Sequence, residues 1–217
     1  MLSAPVTPHA VGAGVFVAFE GGDGAGKSTQ ARLLGDWVGE QGREVVLTRE
    51  PGGTELGRTV RDVVLHGDHV TPRAEALLFA ADRAHHVASL VRPALDRGAV
   101  VLTDRYVDSS IAYQGAAREL ACAEIRDLSL WATQGLLPHL TVLLDVAPKQ
   151  GRARRGDVHD RLEREGEDFH DRVRRGFLDL AAADPSRYLV LDGDKPPEEL
   201  HEAVVDRFRR LDQARAS

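Results

Sequence analysis

A glycine-rich segment near the beginning of the chain carries the residue types that bind a polyphosphate. Residues 21–28 read G-G-D-G-A-G-K-S, which is the complete G-x-x-x-x-G-K-S spacing. Glycines let backbone N–H groups surround phosphate oxygens, the lysine ammonium reaches the β- and γ-phosphates, and the serine hydroxyl is a ligand for Mg²⁺. We therefore predict a site for a nucleoside triphosphate and Mg²⁺ at the following residues: Gly21, Gly22, Asp23, Gly24, Ala25, Gly26, Lys27, Ser28 and Thr29.

The sequence on either side of this segment supplies the elements that must position it. Residues 15–19 form an apolar run typical of a buried strand, and Leu33, Leu34 and Val38 follow at the spacing of one helix face. Strand, loop and helix thus come in the order that a phosphate loop requires, with the helix N-terminus directed at the phosphates. A glycine-rich turn that merely precedes a helix is the alternative, and the flanking pattern disfavours it.

Further short apolar runs, rich in β-branched residues, alternate with helical patterns along the chain. The predicted strands are 15–19, 45–47, 99–102, 140–144 and 188–191, and the predicted helices are 29–40, 54–66, 72–97, 121–135, 148–182 and 197–213. This alternation predicts an α/β fold of the P-loop NTPase type, in which a parallel sheet of five buried strands carries helices on both faces. Ligands of such sheets bind at the carboxyl ends of the strands.

Charged residues follow the second and third predicted strands at that edge of the sheet. Residues 48–54 read T-R-E-P-G-G-T, where a proline and two glycines fix an irregular loop beside Arg49. Asp104 and Arg105 come directly after the third strand. An acid in this place is positioned to hold Mg²⁺, and the neighbouring guanidinium can neutralise a phosphoryl group. An ion pair that caps the strand is the alternative interpretation.

The composition fits a compact enzyme of a reducing compartment, and we predict a cytoplasmic protein. The 217 residues suffice for one α/β domain, predicted at 15–217 after a flexible tail at 1–14. A net charge of −6 disfavours a general nucleic-acid-binding surface. Cys122 is the only cysteine, so no internal disulfide can form. No apolar run approaches the roughly 20 residues that a membrane helix needs.

Five motifs, in order along the chain, resemble those of one enzyme family. They are F-E-G-G-D-G-A-G-K-S-T at 19–29, T-R-E-P-G-G-T at 48–54, L-L-F-A-A-D-R at 77–83, D-R-Y with A-Y-Q-G at 104–106 and 112–115, and D-R-L-E at 160–163. With these motifs the chain resembles the thymidylate kinases, P-loop enzymes that transfer the γ-phosphoryl group of ATP to dTMP. The phosphate loop alone is shared by many proteins, whereas its combination with the second and fourth motifs is highly specific.

The resemblance implies a reaction, a cofactor and an assembly. ATP and dTMP are the implied substrates and Mg²⁺ the implied cofactor, without a nucleic-acid or membrane partner. The family further implies a homodimer that packs through the helices at 72–97 and 121–135. Two alternatives stay open at this point: a kinase for another nucleoside monophosphate or a deoxynucleoside, and a nucleotide-binding regulator without turnover. Arg83 together with Tyr113 disfavours the first alternative. The residues of an acceptor pocket disfavour the second, because a regulator without turnover needs no such pocket.

The same resemblance implies contacts to each part of dTMP. Phe79 stacks on thymine and Arg83 donates to its O4, which suits a guanidinium because that group has only donors. The remaining implied contacts are Arg49 and Arg105 at the phosphate, Asp23 near the 3′-hydroxyl and Arg105, Tyr113 against the deoxyribose, and Gln114 toward the base.

Each of these residues also has a purely structural interpretation. Phe79 fits the apolar face of a core helix, and Arg83 fits an exposed ion pair with Asp82 or a neighbouring helix. Tyr113 and Gln114 fit a buried aromatic residue and its polar neighbour in a loop. We expect His86, which follows shortly after Arg83, to be an incidental surface or packing residue, as is its neighbour His85.

Residues 149–168 mix opposite charges with glycines, which is the pattern of a short lid in this family and of a solvated surface elsewhere. Thymidylate kinases of one type carry an arginine inside the phosphate loop, at the position of Gly24, and lack catalytic arginines in the lid. The other type, common in bacteria, reverses this arrangement. Gly24 therefore implies that the transferring phosphoryl group is met by one or more lid arginines, from the set Arg152, Arg154, Arg155 and Arg161.

Overall fold

The computed structural model describes residues 14–118, 120–154 and 160–216, and within them a parallel sheet of five strands forms the centre. The strands are β1 (Val15–Gly21), β2 (Val45–Arg49), β3 (Val100–Asp104), β4 (Leu140–Asp145) and β5 (Tyr188–Asp192). Their order across the sheet is β2-β3-β1-β4-β5, with Phe19 opposite Asp104 in the pairing of β1 with β3. The predicted five-stranded parallel α/β fold is confirmed.

The strands differ in burial according to their place in the sheet. The central strands β1, β3 and β4 are buried along nearly their whole length, whereas β2 and β5 form the edges and alternate in exposure. Leu47 on β2 and Val190 on β5 are about half exposed. The prediction of five buried strands is therefore wrong for the two edges, because only a strand with neighbours on both sides is covered by helices on both faces.

The helices alternate with the strands. They are α1 (Lys27–Glu40), α2 (Glu55–Arg61), α3 (Pro72–His86), α4 (Arg92–Asp96), α5 (Val107–Ser110), α6 (Cys122–Thr133), α7 (Pro148–Ala153), α8 (Glu167–Ala183) and α9 (Pro197–Ala216). The predicted helix at 148–182 is wrong as one element, because α7 ends at Ala153 and α8 begins only at Glu167, after Gly166. The helical stretch that begins at Val107 was not predicted.

Three of these helices continue directly into π-helical segments. The segments are Asp62–His66 after α2, Val87–Val91 between α3 and α4, and Ile111–Ala117 after α5. Segments of this kind are frequent at functional sites because the wider turn redirects side chains. Tyr113 and Gln114 lie in the third segment, so they belong to a helix and not to a loop.

Apolar layers on both faces of the sheet hold the helices in place. One layer joins the sheet to α1 and α9 through Leu34, Val204 and Phe208. The opposite layer joins it to the helices before β3, with Val91 and Leu95 fully or almost fully buried. Since all strands are parallel, their carboxyl ends bring the phosphate loop and the segments after β2 and β3 to one edge.

Of the predicted N-terminal tail, residues 1–13 lie outside the described residues, and Gly14 packs against the backbone of Leu95 and Ala99. The predicted lid is described except for 155–159, so Arg155 lies outside the description. None of the helices in the described ranges has the length and apolar character needed to cross a bilayer.

Candidate active site

The phosphate loop turns from β1 into α1 through glycines in the left-handed backbone region. Gly21, Gly24 and Gly26 have φ values of 134°, 77° and 96°, which side-chain-bearing residues rarely adopt. Lys27 opens α1 and donates from Nζ to the carbonyl oxygen of Gly22 at 2.8 Å. Burial, followed by the nearby Arg105, lowers the pKa of Lys27 below its usual value. A bound polyphosphate would replace the carbonyl as the partner of this ammonium.

Helix α7 packs directly on the phosphate loop, glycine against glycine. A Cβ atom on Gly24 would collide with the carbonyl oxygen of Gly151, and a Cβ atom on Gly151 would collide with the carbonyl oxygen of Asp23. An arginine at position 24 therefore cannot be accommodated unless α7 moves. Arg152 is the residue that follows Gly151 on α7, so its backbone lies next to the residue that contacts the loop.

Ser28 and Asp104 form an oxygen-ligand pair at the sheet edge. Ser28 Oγ, on α1, donates to Asp104 Oδ2, at the end of β3, at 2.5 Å. Hydroxyl and carboxylate oxygens are the ligands that Mg²⁺ prefers, and this ion usually completes its shell with water and substrate phosphates. The described residues contain no cluster of three or more His, Cys, Asp or Glu side chains suited to a metal. The pair thus fits Mg²⁺ that arrives with a nucleotide.

Arg105 stands at the centre of a group of polar side chains beside the loop. Its guanidinium pairs with Asp23 and donates to Tyr113 Oη at 3.2 Å and to the carbonyl oxygen of Gly21 at 3.1 Å. Tyr113 in turn donates to Asp23 Oδ2 at 2.9 Å. These predicted residues, from the first and fourth motifs, therefore meet within one hydrogen-bonded group.

The backbone of Arg105 is held in an unfavourable conformation. Its φ of 70° lies in the left-handed region, which costs roughly 1–2 kcal/mol for a residue with a side chain. Buried Glu20 fixes the following turn, because it accepts from Tyr106 N at 2.8 Å, from Ser109 N at 3.2 Å and from Ser109 Oγ at 2.6 Å. Sequence reasoning missed this role of Glu20.

Glu20 has an altered acidity that gives a testable pH dependence. Burial, and next the charge of Asp108, raise its pKa to about 7. The stability that Glu20 contributes is therefore fully present below its ordinary pKa, near 4.5, and is lost as the pH rises through about 7. We expect the fall in Tm between about pH 5 and about pH 8 to be smaller in Glu20→Gln by on the order of 5 °C. Thermal melts across this range test it, and parallel curves for the two proteins would contradict it.

A cleft opens beside this group. All of the predicted acceptor residues except Arg49 line it, namely Asp23, Phe79, Arg83, Arg105, Tyr113 and Gln114. Phe79 is almost buried, and it packs in an apolar cluster with Leu65 and Tyr113. Gln114 donates from Nε2 to Glu75 Oε1 at 2.9 Å, which fixes the orientation of its amide.

Arg83 is buried beneath the cleft and makes several hydrogen bonds. Nε donates to Glu50 Oε2 at 2.7 Å, Nη1 to the hydroxyls of Ser110 and Ser129 at 3.0 and 3.2 Å, and Nη2 to the carbonyl oxygen of Tyr106 at 3.0 Å. The alternative of an exposed ion pair with Asp82 is excluded, because the guanidinium is 2% exposed. Four of its five N–H groups are thus engaged with described residues, so a ligand in the cleft can meet only the remaining edge.

Three further charged residues line the cleft, and sequence reasoning assigned none of them to the site: Glu50, Arg61 and Asp160. Arg61, on α2, donates from Nη1 to the carbonyl oxygen of Pro51 at 3.3 Å. Burial, followed by the charge of Arg49, lowers the pKa of Arg61. Asp160 lies on the lid side of the same cleft, and burial raises its pKa. No local motif marks Arg61 because it lies inside an ordinary helix.

Arg49 lines a neighbouring cleft together with Ser28 and Asp104. A third cleft, on the other side of the phosphate loop, is formed by Gly24, Thr29, Arg154 and the segment 193–197. Since the phosphate loop is one wall of the third cleft, this cleft has the position expected for the nucleoside of a triphosphate. Sequence reasoning did not identify the segment 193–197.

The described lid arginines differ in their partners. Arg161 donates from Nε to the carbonyl oxygen of Val64 at 2.8 Å and pairs with buried Glu75. Arg154 donates to the carbonyl oxygen of Gly193 at 2.9 Å and pairs with Asp194 at 2.7 Å. Arg152 is exposed, and its hydrogen bonds to described residues are long, 3.3 and 3.4 Å to the carbonyl oxygens of Glu163 and Glu165. A catalytic role for any of them stays a prediction.

Comparison with known proteins accounts for this arrangement of clefts. The family model described as thymidylate kinase matches residues 19–204, which include the phosphate loop, the acceptor cleft and the described lid. The chain belongs to the thymidylate kinase family. A curated thymidylate kinase of Clavibacter michiganensis is 60% identical over 208 residues, which cover 94% of this chain and 99% of that relative. A thymidylate kinase of Bifidobacterium longum is 53% identical over 91% of this chain and 98% of its own length.

A solved thymidylate kinase structure shows that the similarity extends to the fold. The crystal structure of the enzyme from Ehrlichia chaffeensis superposes with a TM-score of 0.75 at 32% identity, covering 90% of this chain and 98% of that one. The family assignment made from the five sequence motifs is thereby confirmed.

Proposed function

We propose that this thymidylate kinase family member transfers the γ-phosphoryl group of ATP to dTMP, which gives dTDP and ADP. One observation carries the proposal: the phosphate loop is shared between two clefts. Asp23 lines the cleft that contains Phe79 and Arg83, and the adjacent Gly24 lines the cleft next to α9. A phosphoryl donor and a nucleotide acceptor can therefore meet end to end at the loop.

We assign the two ends of the acceptor cleft to the two ends of dTMP. Phe79, Arg83 and Gln114 form the base end, where an aromatic face supports stacking and a guanidinium edge donates to thymine O4. Arg105 and Arg61 form the phosphate end. Tyr113 lies between them, bonded to Asp23, where its ring takes the space beside the deoxyribose.

Transfer requires little covalent work from the protein. An oxygen of the dTMP phosphate attacks the γ-phosphorus, the bond to the β,γ-bridging oxygen breaks, and ADP leaves with that electron pair. No general base is needed, because the second pKa of a phosphate monoester is about 6 and the acceptor is already a dianion. Lys27 and Arg105 then counter the charges of the two approaching phosphates. Ser28 and Asp104 would hold Mg²⁺, which would supply further neutralisation of the phosphate charge.

Equilibrium binding tests this assignment of the acceptor. Calorimetric titrations with dTMP, dUMP, dCMP and dAMP should show the tightest binding for dTMP. Cytosine should be disfavoured at least tenfold, because its 4-amino group would face the donors of Arg83. Equal affinity for all four nucleotides would contradict the proposed base end.

Arg83→Ala should affect both the acceptor and the fold. We expect the KM for dTMP to rise about ten- to a hundredfold, since a hydrogen bond to a charged group contributes roughly 1.5–3 kcal/mol. We also expect a loss of about 3–5 kcal/mol in stability, because buried Glu50 then keeps an unpaired charge. In the double variant Glu50→Gln/Arg83→Ala, stability should partly return while the KM for dTMP stays high. A raised KM for ATP alone would place Arg83 on the donor side.

We infer a homodimer that packs through α3 and α6. Leu77 on α3 is 59% exposed and Trp131 on α6 is 79% exposed, and large apolar side chains with this exposure are typical of an interface. Sedimentation velocity should show a dimer for the parent and a monomer for Trp131→Glu, and a monomeric parent would contradict the inference. We further assign the protein to the cytoplasm, because a chain with one cysteine suits a reducing compartment. Recovery of the protein outside the cytoplasmic fraction of cells would contradict this assignment.

A further inference from the structure

A chain of buried hydrogen bonds leads from β2 to the base end of the acceptor cleft. Thr48 Oγ1 lies 2.8 Å from His86 Nε2, His86 Nδ1 lies 2.7 Å from Glu50 Oε1, and Glu50 Oε2 accepts from Arg83 Nε at 2.7 Å. The side chains of His86, Glu50 and Arg83 are 0%, 2% and 2% exposed. The expectation of a surface residue is therefore wrong for His86, which is buried and joins the strand, the loop after it and helix α3.

The chemistry of the partner groups fixes the proton positions on the imidazole of His86. A carboxylate paired with a guanidinium only accepts hydrogen bonds, so His86 Nδ1 carries the hydrogen and donates to Glu50. In the neutral imidazole, Nε2 is then the acceptor, and the Thr48 hydroxyl donates to it. The imidazole thus bridges a hydroxyl donor and a carboxylate acceptor in one orientation.

The glycine pair of the loop after β2 makes room for this imidazole. A Cβ atom on Gly53 would lie 2.9 Å from His86 Nε2, and it would also collide with Thr48 Oγ1. A side chain at position 53 would therefore push Thr48 and His86 apart. The second glycine of the P-G-G-T sequence is required by this contact and not only by the turn.

Glu50 needs a second partner in order to orient Arg83. The described contact between the two is a single hydrogen bond through Nε, and the terminal torsion of a glutamate is broad. The bond from His86 to the other carboxylate oxygen fixes the carboxylate plane. That plane sets the direction of Nε, while Ser110, Ser129 and the carbonyl oxygen of Tyr106 hold the other nitrogens of the guanidinium, which lines the cleft.

We propose that His86 is a positioning residue for nucleobase selection: through its Nδ1–H it holds Glu50 in the orientation that directs Arg83 at the base. This proposal deepens the proposed function and rests on it. His86 touches neither the cleft nor the phosphate loop in any described contact, so its effect reaches the substrate only through Glu50.

Two substitutions distinguish this role from general packing. The amide nitrogen of asparagine is bonded to Cγ, as Nδ1 is, whereas the amide nitrogen of glutamine lies one atom further along, as Nε2 does. His86→Asn thus retains a donor for Glu50, and His86→Gln retains only the contact to Thr48. We expect KM for dTMP within about threefold of the parent in His86→Asn and raised about tenfold in His86→Gln, with preference for dTMP over dCMP lost in parallel.

The KM for ATP is the internal control, and it should stay unchanged in both variants. Equal KM values for dTMP in the two variants, or a parallel rise in the KM for ATP, would overturn the proposal. If neither variant folds, Thr48→Val, which removes only the outer donor, decides: a KM for dTMP at least twofold higher with unchanged KM for ATP supports the proposal, and an unchanged KM for dTMP overturns it. If the parent enzyme prefers another monophosphate, the proposed function fails. The KM values of the His86 variants for that monophosphate then test the role of His86 in the same way.

Discussion

Lys27→Ala lowers kcat by about three orders of magnitude or more while the fold is retained. In the structure the ammonium of Lys27 lies within the phosphate loop, bonded to the carbonyl oxygen of Gly22 and almost buried. No other lysine lies at the loop's inner side, because Lys149 is exposed on α7 and Lys195 pairs with Glu199 on the surface. The charge that accumulates on the γ-phosphoryl group would lose its nearest fixed counter-charge.

Steady-state kinetics with saturating ATP and dTMP provide the measurement. Lys149→Ala is the matched control, and its kcat should stay within about twofold of the parent because an exposed charge contributes little. A Lys27→Ala enzyme with near-normal turnover would refute the assignment of the phosphate loop. A large fall in Tm would instead indicate a structural role for the ammonium.

Replacing one lid arginine with alanine lowers kcat more than about a hundredfold, with little change in thermal stability. Gly24 supplies no charge from within the phosphate loop, and the packing of Gly151 on it excludes a longer side chain there. We therefore expect the guanidinium to come from the lid, where Arg152 follows Gly151 on α7. An arginine of this kind contributes about 10³–10⁵ in rate in related transfers, far beyond the roughly 0–1 kcal/mol of an exposed ion pair.

The structure distinguishes three of the four candidates for this effect, and the fourth, Arg155, lies outside the described residues. Arg161 is tied to Val64 and Glu75, so Arg161→Ala should lower Tm by several degrees in addition to any kinetic effect. Arg154 pairs with Asp194 and lines the third cleft, so we expect its loss to raise the KM for ATP. We expect the largest fall in kcat from Arg152 or Arg155. Arg175→Ala, on the exposed side of α8, is the control. If kcat stays within about threefold of the parent in all four lid variants, the lid is a solvated surface without a catalytic arginine.

Residues that act within one continuous segment could be predicted from the sequence. The phosphate loop is recognisable because its glycines, Lys27 and Ser28 do their work within eight consecutive residues. Phe79 and Arg83 share a helix face through a spacing of four, and the structure places both at one cleft. In each case the local backbone alone brings the side chains together.

Residues whose partners are distant in sequence could not be predicted. Glu20 caps the turn after Arg105 from a separation of 86 positions, and His86 reaches Glu50 from 36 positions away. These contacts follow from the strand order β2-β3-β1, which no local pattern encodes. The strand order also makes β2 and β5 the edge strands of the sheet. This is why their apolar runs are partly exposed.

In the proposed reaction one phosphate loop serves both a donor and an acceptor nucleotide, and this can be measured as phosphoryl transfer between them. The purified chain is incubated with ATP labelled at the γ-phosphorus, Mg²⁺ and dTMP, and the labelled products are separated. We predict that the label appears in dTDP in a one-to-one ratio with ADP, with little free phosphate, and that dCMP or dAMP in place of dTMP receives far less. Label that appears only as inorganic phosphate, or equally in all monophosphates, would contradict it.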